Sequence, residues 1–181
     1  MRRSLVQSSL LHTLLAITVM ISLFSFKARA DMPKAGDTAP LFSAMDQNGT
    51  NFNLSDLIGK KNVLLYFYPK DFTGGCTKEA CGLRDRMGDL QAANVAVVGV
   101  SHDDVDSHKR FAEKYNLDFT LLADPQNKII SLYDVKMPMI SLSKRVSFLI
   151  GLNGKIVHVT DAMNPKIHFE EMKAAIDGLK P

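Results

Sequence analysis

Two continuous apolar runs, VLLYFY at 63–68 and ANVAVVGV at 93–100, stand out along this chain. Each has the length and β-rich content of a strand buried on both faces. Pro69 cannot donate to a sheet ladder, so the first strand stops there. Shorter runs at 119–122, 145–152 (RVSFLIGL) and 155–160 (KIVHVT) predict three more strands. Asn153-Gly154 marks a hairpin between the last two, as Asn48-Gly49 does between 41–45 and 50–54. Helical spacing fills the gaps. Residues 76–91 read as one helix, 107–115 as another with Phe111 and Tyr115 on one face, and 126–133 as a third. Ser55 is placed to cap a short turn before Gly59, and 134–143 shows no regular pattern. Residues 165–179 predict an amphipathic helix that turns Ile167, Phe169, Met172 and Ile176 toward the core. Helices alternating with apolar strands imply βαβ crossovers, and the closing hairpin adds antiparallel strands. The expected class is α/β: a mixed central sheet covered by helices on both faces, with an N-terminal hairpin.

The first thirty residues stand apart. Arg2 and Arg3 precede an apolar stretch at 10–26, and Ala28-Arg29-Ala30 supplies a cleavage site. That order predicts a cleaved secretory signal peptide at 1–30 and one domain at 31–181. The alternative is an uncleaved membrane anchor, but the uncharged run is shorter than the roughly twenty residues that span a bilayer. Export, into a periplasm, is the expected location. Removing Arg2, Arg3, Lys27 and Arg29, with no acid among those thirty residues, takes the net charge from +3 to −1. The remaining charge does not suggest a nucleic-acid partner, and no second apolar span suggests membrane contact after cleavage.

The chain has two cysteines, Cys76 and Cys81, both on the helix predicted at 76–91. Cys76 falls in its first turn, where the macrodipole and unpaired amides favour a thiolate. A structural disulfide is the plainest reading of two cysteines in an exported protein. Helix geometry opposes it, because Cα atoms at i and i+5 lie about 8.6 Å apart on a regular helix. A relaxed disulfide spans about 4.4–6.8 Å. A pair that must unwind its helix to join reads as a working redox couple. Two sulfurs without a nearby histidine leave a zinc site incomplete.

The spacing Pro69-x-x-x-Thr73-x-x-Cys76 resembles the peroxiredoxins, thiol peroxidases of thioredoxin-like fold with the signature P-x-x-x-[TS]-x-x-C. YFYPKDFTGGCTKEACGLRD is most similar to their Q-type branch, also called bacterioferritin comigratory protein, whose members carry a second cysteine where Cys81 stands. VVGVSHDDVDSHKRFAEKYNLDFTLLADP and KRVSFLIGLNGKI resemble later blocks of that branch. The chain departs from it at Phe72, at Gly74, where proline is usual, and at Gly151, where aspartate is common.

The resemblance implies that Cys76 attacks a hydroperoxide and becomes a sulfenic acid, which Cys81 resolves as an intramolecular disulfide. A thioredoxin-like dithiol outside the cytosol would reduce that bond. Thr73 would place its hydroxyl against the sulfur and the peroxide, and Arg145 would stabilise charge on both. The Gly75 and Cys76 amides would hold the peroxide, while Pro69 would wall off water. Hydrogen peroxide and organic hydroperoxides are the implied substrates. No metal, haem, flavin or other cofactor is required, and a monomer is expected.

Other readings stay open from the residues themselves. Cys76 can be a buried inert thiol, Cys81 a bystander, Arg145 a partner for a surface acid and Thr73 a helix cap. His102 reads as solvated, His108, His158 and His168 show no metal spacing, Met137 and Met139 read as core filling in preference to lining the pocket mouth, and 109–114 as a solvated helix face. A thiol–disulfide oxidoreductase acting on protein disulfides usually runs on Cys-x-x-Cys, which is absent. A holdase or binding module with incidental cysteines is the second alternative.

Overall fold

The computed structural model describes residues 31–179; the expected signal peptide at 1–30 lies outside the described residues. In chain order the elements are β1 (Ser43–Met45), β2 (Asn51–Asn53), β3 (Asn62–Phe67), α1 (Gly74–Arg84), α2 (Met87–Ala92), β4 (Val95–Ser101), α3 (Val105–Tyr115), β5 (Thr120–Ala123), α4 (Lys128–Leu132), β6 (Val146–Ile150), β7 (Ile156–Thr160) and α5 (Pro165–Asp177). The central sheet has the order β5-β4-β3-β6-β7. β3, β4 and β5 run parallel, whereas β6 and β7 run antiparallel to their neighbours, so the sheet is mixed as expected.

Alternation along β3 divides the core. Leu64, Tyr66 and Tyr68 pack on one face with Cys76, Ala80, Leu83, Phe111 and Met172 from α1, α3 and α5. Val63, Leu65 and Phe67 pack on the other with Ile129, Ile130 and Tyr133 from and just after α4. Burying each such side chain contributes about 1.5–3 kcal/mol, which fixes the register of β3 and hence where its end points. The second face is covered by one short helix and the N-terminal segment, whose β1–β2 hairpin pairs separately from the main sheet. Gln47 in the hairpin loop ties it down, donating to the Phe119 carbonyl and accepting from the Leu121 amide.

Five local expectations change. The helix expected at 76–91 begins at Gly74 and breaks after Arg84, because Arg86 takes φ −113°, ψ 8° and starts a separate helix. Ser55 lies inside a single 3₁₀ turn, Leu54–Asp56, which has no side-chain cap. On α5 the inward stripe is His168, Met172 and Ile176, and Ile167 is half exposed. Helical phase explains this, since Ile167 sits 100° around from the His168–Met172–Ile176 line. Met137 is only half-buried and Met139 fully exposed, so neither fills the core. The helix at 107–115 starts two residues earlier, at Val105, where the Asp104 carboxylate caps the Ser107 amide.

Candidate active site

β3 hydrogen bonding runs on to the Tyr68 amide, which donates to the Val100 carbonyl, and ends at half-buried Pro69. A four-residue loop, 70–73, then delivers the chain to α1. Thr73 occupies the cap position in an extended conformation, and its hydroxyl donates to the Lys70 carbonyl at 3.0 Å. The first helical bond runs from the Thr77 amide to the Thr73 carbonyl, leaving the amides of Gly74, Gly75 and Cys76 without intrahelical acceptors. Cys76 is therefore the third residue of the helix, among the free amides.

Antiparallel pairing sets Val146, the first residue of β6, opposite Phe67 near the end of β3. Arg145, one residue earlier, reaches over α1, and its Nη2 donates to Cys76 Sγ at 3.4 Å. Cys76 is 2% exposed and Arg145 is buried. Gly75 makes this approach possible: a Cβ there would stand 3.2 Å from Arg145 Nη2 and 3.5 Å from Pro165 Cγ. Arg145 thus pairs with a thiol and a buried acid rather than a surface one.

That acid is Glu79, which reasoning from sequence did not single out. It lies three residues beyond Cys76 on the same face of α1, and its fully buried Oε2 accepts from Arg145 Nη1. The signal was present: an acid at i+3 on a helix face otherwise made of Cys76, Ala80 and Leu83. Among the described residues Glu79 Oε1 has no hydrogen-bond partner, and neither does Arg145 Nε. His168 from α5 brings Nε2 to 3.5 Å from Glu79 Oε1. Its Nδ1 faces the Ala162 carbonyl at 3.2 Å and so carries the proton, leaving Nε2 to accept from the Ser147 hydroxyl at 2.8 Å. Burial, and then the Arg145 charge, lowers the His168 pKa to about 4, which keeps the ring neutral. Tyr66, also fully buried, has a phenol pushed well above its ordinary range by burial and then by Asp71 and Cys76.

Cys81 is half-buried further along α1, and both cysteines are free thiols. The structure thus brings Cys76, Arg145 and Gly75 together at the start of α1, leaves Pro69 half-buried at the end of β3, directs the Thr73 hydroxyl to the loop backbone, and keeps Cys81 on the same helix. His102 lies apart from this cluster, with Nδ1 3.1 Å from Asn127 Oδ1.

Comparison with known proteins decides the lineage, since residues 35–159 match the family model described as AhpC/TSA family. The chain belongs to the AhpC/TSA family, the peroxiredoxins. It is 46% identical over 143 residues to Peroxiredoxin Bcp of Escherichia coli strain K12, covering 76% of this chain and 91% of that protein. It is 40% identical over 147 residues to the chloroplastic Peroxiredoxin Q of Sedum lineare, covering 80% of this chain and 78% of that one. The crystal structure of Peroxidoxin BcpB from Mycobacterium tuberculosis superposes with a TM-score of 0.77 at 33% identity, covering 82% of this peroxiredoxin and 99% of that chain. The fold is accordingly the thioredoxin-like fold of thiol peroxidases, as the spacing around Cys76 implied.

Proposed function

We propose that this thiol peroxidase works through Cys76 as the attacking sulfur and Cys81 as the resolving one. The observation that carries the assignment is the Arg145 guanidinium on Cys76 Sγ, at the end of α1 where three amides lack intrahelical acceptors. The Cys76 thiolate attacks the terminal oxygen of a hydroperoxide; the O–O bond breaks, sulfenic acid forms, and the leaving oxygen departs as water or alcohol after taking a proton. Arg145 stabilises charge on the sulfur and on the leaving oxygen, and the Gly75 and Cys76 amides, free of intrahelical acceptors, are the donors that would hold the peroxide. Thr73 contributes through its hydroxyl oxygen, whose lone pairs stay open while its proton is held by the Lys70 carbonyl. Pro69, half-buried at the end of β3, would limit water at the sulfur. The Cys81 thiol then condenses with the sulfenic acid, releasing water and forming the disulfide, which a thioredoxin-type dithiol reduces by exchange. Near-complete burial of Cys76 disfavours direct attack on a folded protein's disulfide, so peroxide remains the better substrate.

Cleavage of 1–30, export and a monomeric state complete the proposal. The family match begins at residue 35, after the expected cleavage site, which supports reading 1–30 as a separate leader. Intact mass and fractionation check export; sedimentation checks the monomer. The chemistry is tested by treating Cys76→Ser and Cys81→Ser proteins with one equivalent of peroxide and reading the products by mass spectrometry. A sulfenic acid that persists in the Cys81 variant alone, with the disulfide in the wild type, is expected. No reaction at Cys76 in either protein overturns the reading.

A further inference from the structure

The buried polar groups that this chemistry leaves unused gather on the loop before Cys76. Asp71, two residues before Thr73, is 3% exposed. Its Oδ1 accepts the Tyr68 hydroxyl at 2.8 Å, while Oδ2 accepts the Ser107 hydroxyl at 2.8 Å and hydrogen-bonds His108 Nδ1 at 2.9 Å. The fully buried His108 ring continues through Nε2 to the Leu122 carbonyl on β5 at 3.1 Å. The Asp71 amide donates to Asp103, whose carboxylate also takes the Ser101 hydroxyl. One loop residue is thus bound to β3, α3 and the segment after β4, and through His108 to β5.

The next residue is strained. Phe72 has φ +60°, a left-handed conformation costing a non-glycine residue about 1–2 kcal/mol. Its ring rests on Phe111 and Tyr115, with centroids 5.2 and 6.3 Å away. His108, Phe111 and Tyr115 form one stripe of α3, spaced three and then four residues apart. The far end of α1 returns to the same helix, where Arg84 Nη1 donates to the Tyr115 carbonyl at 2.6 Å. α3 therefore holds the chain on both sides of the segment that carries the two sulfurs.

We propose that Asp71 and His108 are positioning residues for the peroxide-reducing turn: their tie to α3 keeps Phe72 left-handed and so aims Thr73 and the Gly74, Gly75 and Cys76 amides. A consequence, resting on the Cys76–Cys81 reading above, is that disulfide formation breaks only the helical hydrogen bonds lying between the two ties, those of the amides of 77–83.

The test uses a Cys81→Ser background, where Cys76 is the sole thiol. Stopped-flow oxidation by hydrogen peroxide and alkylation by iodoacetamide then report on one sulfur by two chemistries. If that parent sulfur ignores peroxide, the Cys76 assignment fails before the tie is examined. Adding His108→Asn is expected to slow oxidation by about ten- to a hundredfold, the upper figure being what a 1 Å misplacement can cost, while alkylation stays within about twofold. Equal slowing of both reactions, or of neither, overturns the proposal. Should His108→Asn fail to fold, Ser107→Ala removes a single donor to Asp71 and is expected to give the same split at smaller size; no split there overturns it too. Hydrogen exchange on wild-type protein supplies the second arm. Protection lost on oxidation at 77–83 alone supports the two-tie arrangement, and loss at the Asp71 amide or in α3 overturns it.

Discussion

Two buried ionisable clusters flank Cys76, and they differ in how completely their hydrogen bonds are made. Around Asp71 both carboxylate oxygens are met, by Tyr68 on one side and by Ser107 and His108 on the other. Around Arg145 the Glu79 carboxylate uses one oxygen and leaves the other unmet, and the arginine Nε is likewise unmet. A fully satisfied buried network rigidifies what it joins, whereas an unmet charge in a low-dielectric site is costly and sensitive to small change. The first cluster suits a scaffold that stays. The second suits a site whose charge partner has to leave when α1 unwinds. Cohesion was placed beside the reacting group and incompleteness at it.

The sharpest way to break this contrast is Glu79→Ala. It strands a buried guanidinium, so stability should fall by about 3–5 kcal/mol in urea unfolding. A loss below about 1 kcal/mol would mean that the Arg145 side is already solvated, and the two clusters would no longer differ in kind.

A smaller effect comes with pH. His168 has its pKa lowered from 6.5 to about 4 in the folded chain, so between those values the unfolded chain binds the extra proton. Stability is therefore highest above pH 6.5, declines as pH falls toward 4, and from this group levels off below; the loss reaches about 3 kcal/mol. Denaturation midpoints across that window measure it, and His168→Asn should flatten the slope. A slope unchanged by that substitution would move the acid sensitivity elsewhere.

The smallest expected change is a gain. Gly74 is the first residue of α1, a Cβ there meets nothing within 4 Å, and the preceding Thr73 is extended at ψ 145°. Proline fits such a position, so Gly74→Pro should raise stability by about 0.4–1 kcal/mol in thermal unfolding. A loss instead would show that the loop needs freedom which the Asp71 cluster is said not to allow.

Much of this arrangement was legible from the chain alone. The apolar runs gave β3, β4 and the closing hairpin within two residues at most ends, because strands buried on both faces leave no ambiguity of side. The spacing from Pro69 to Cys76 gave the loop and helix that carry the chemistry. What stayed hidden depends on distant pairing. The helix face marks Glu79 as an acid among apolar neighbours, but its partner Arg145 lies 66 residues away and no local spacing names it. Asp71 and His108 are 37 residues apart and meet only because β3 and β4 lie side by side. The phase of α5 differs from the expectation because Ile167 is a better hydrophobe than His168, and only the Ser147 hydroxyl and the Ala162 carbonyl, which meet both ring nitrogens, show why a histidine faces inward there.

Strand direction has a last consequence. Because β6 runs opposite to β3, the residue that opens β6 lies level with the residue that closes β3. Reversing β6 alone would carry Arg145 to the opposite rim of the sheet, roughly 15 Å from the sulfur at 3.3 Å per residue. The arginine is therefore a gift of topology rather than of local sequence, and a circular permutation that preserves strand polarity should keep it beside the thiol even though the order of the motifs in the gene has changed.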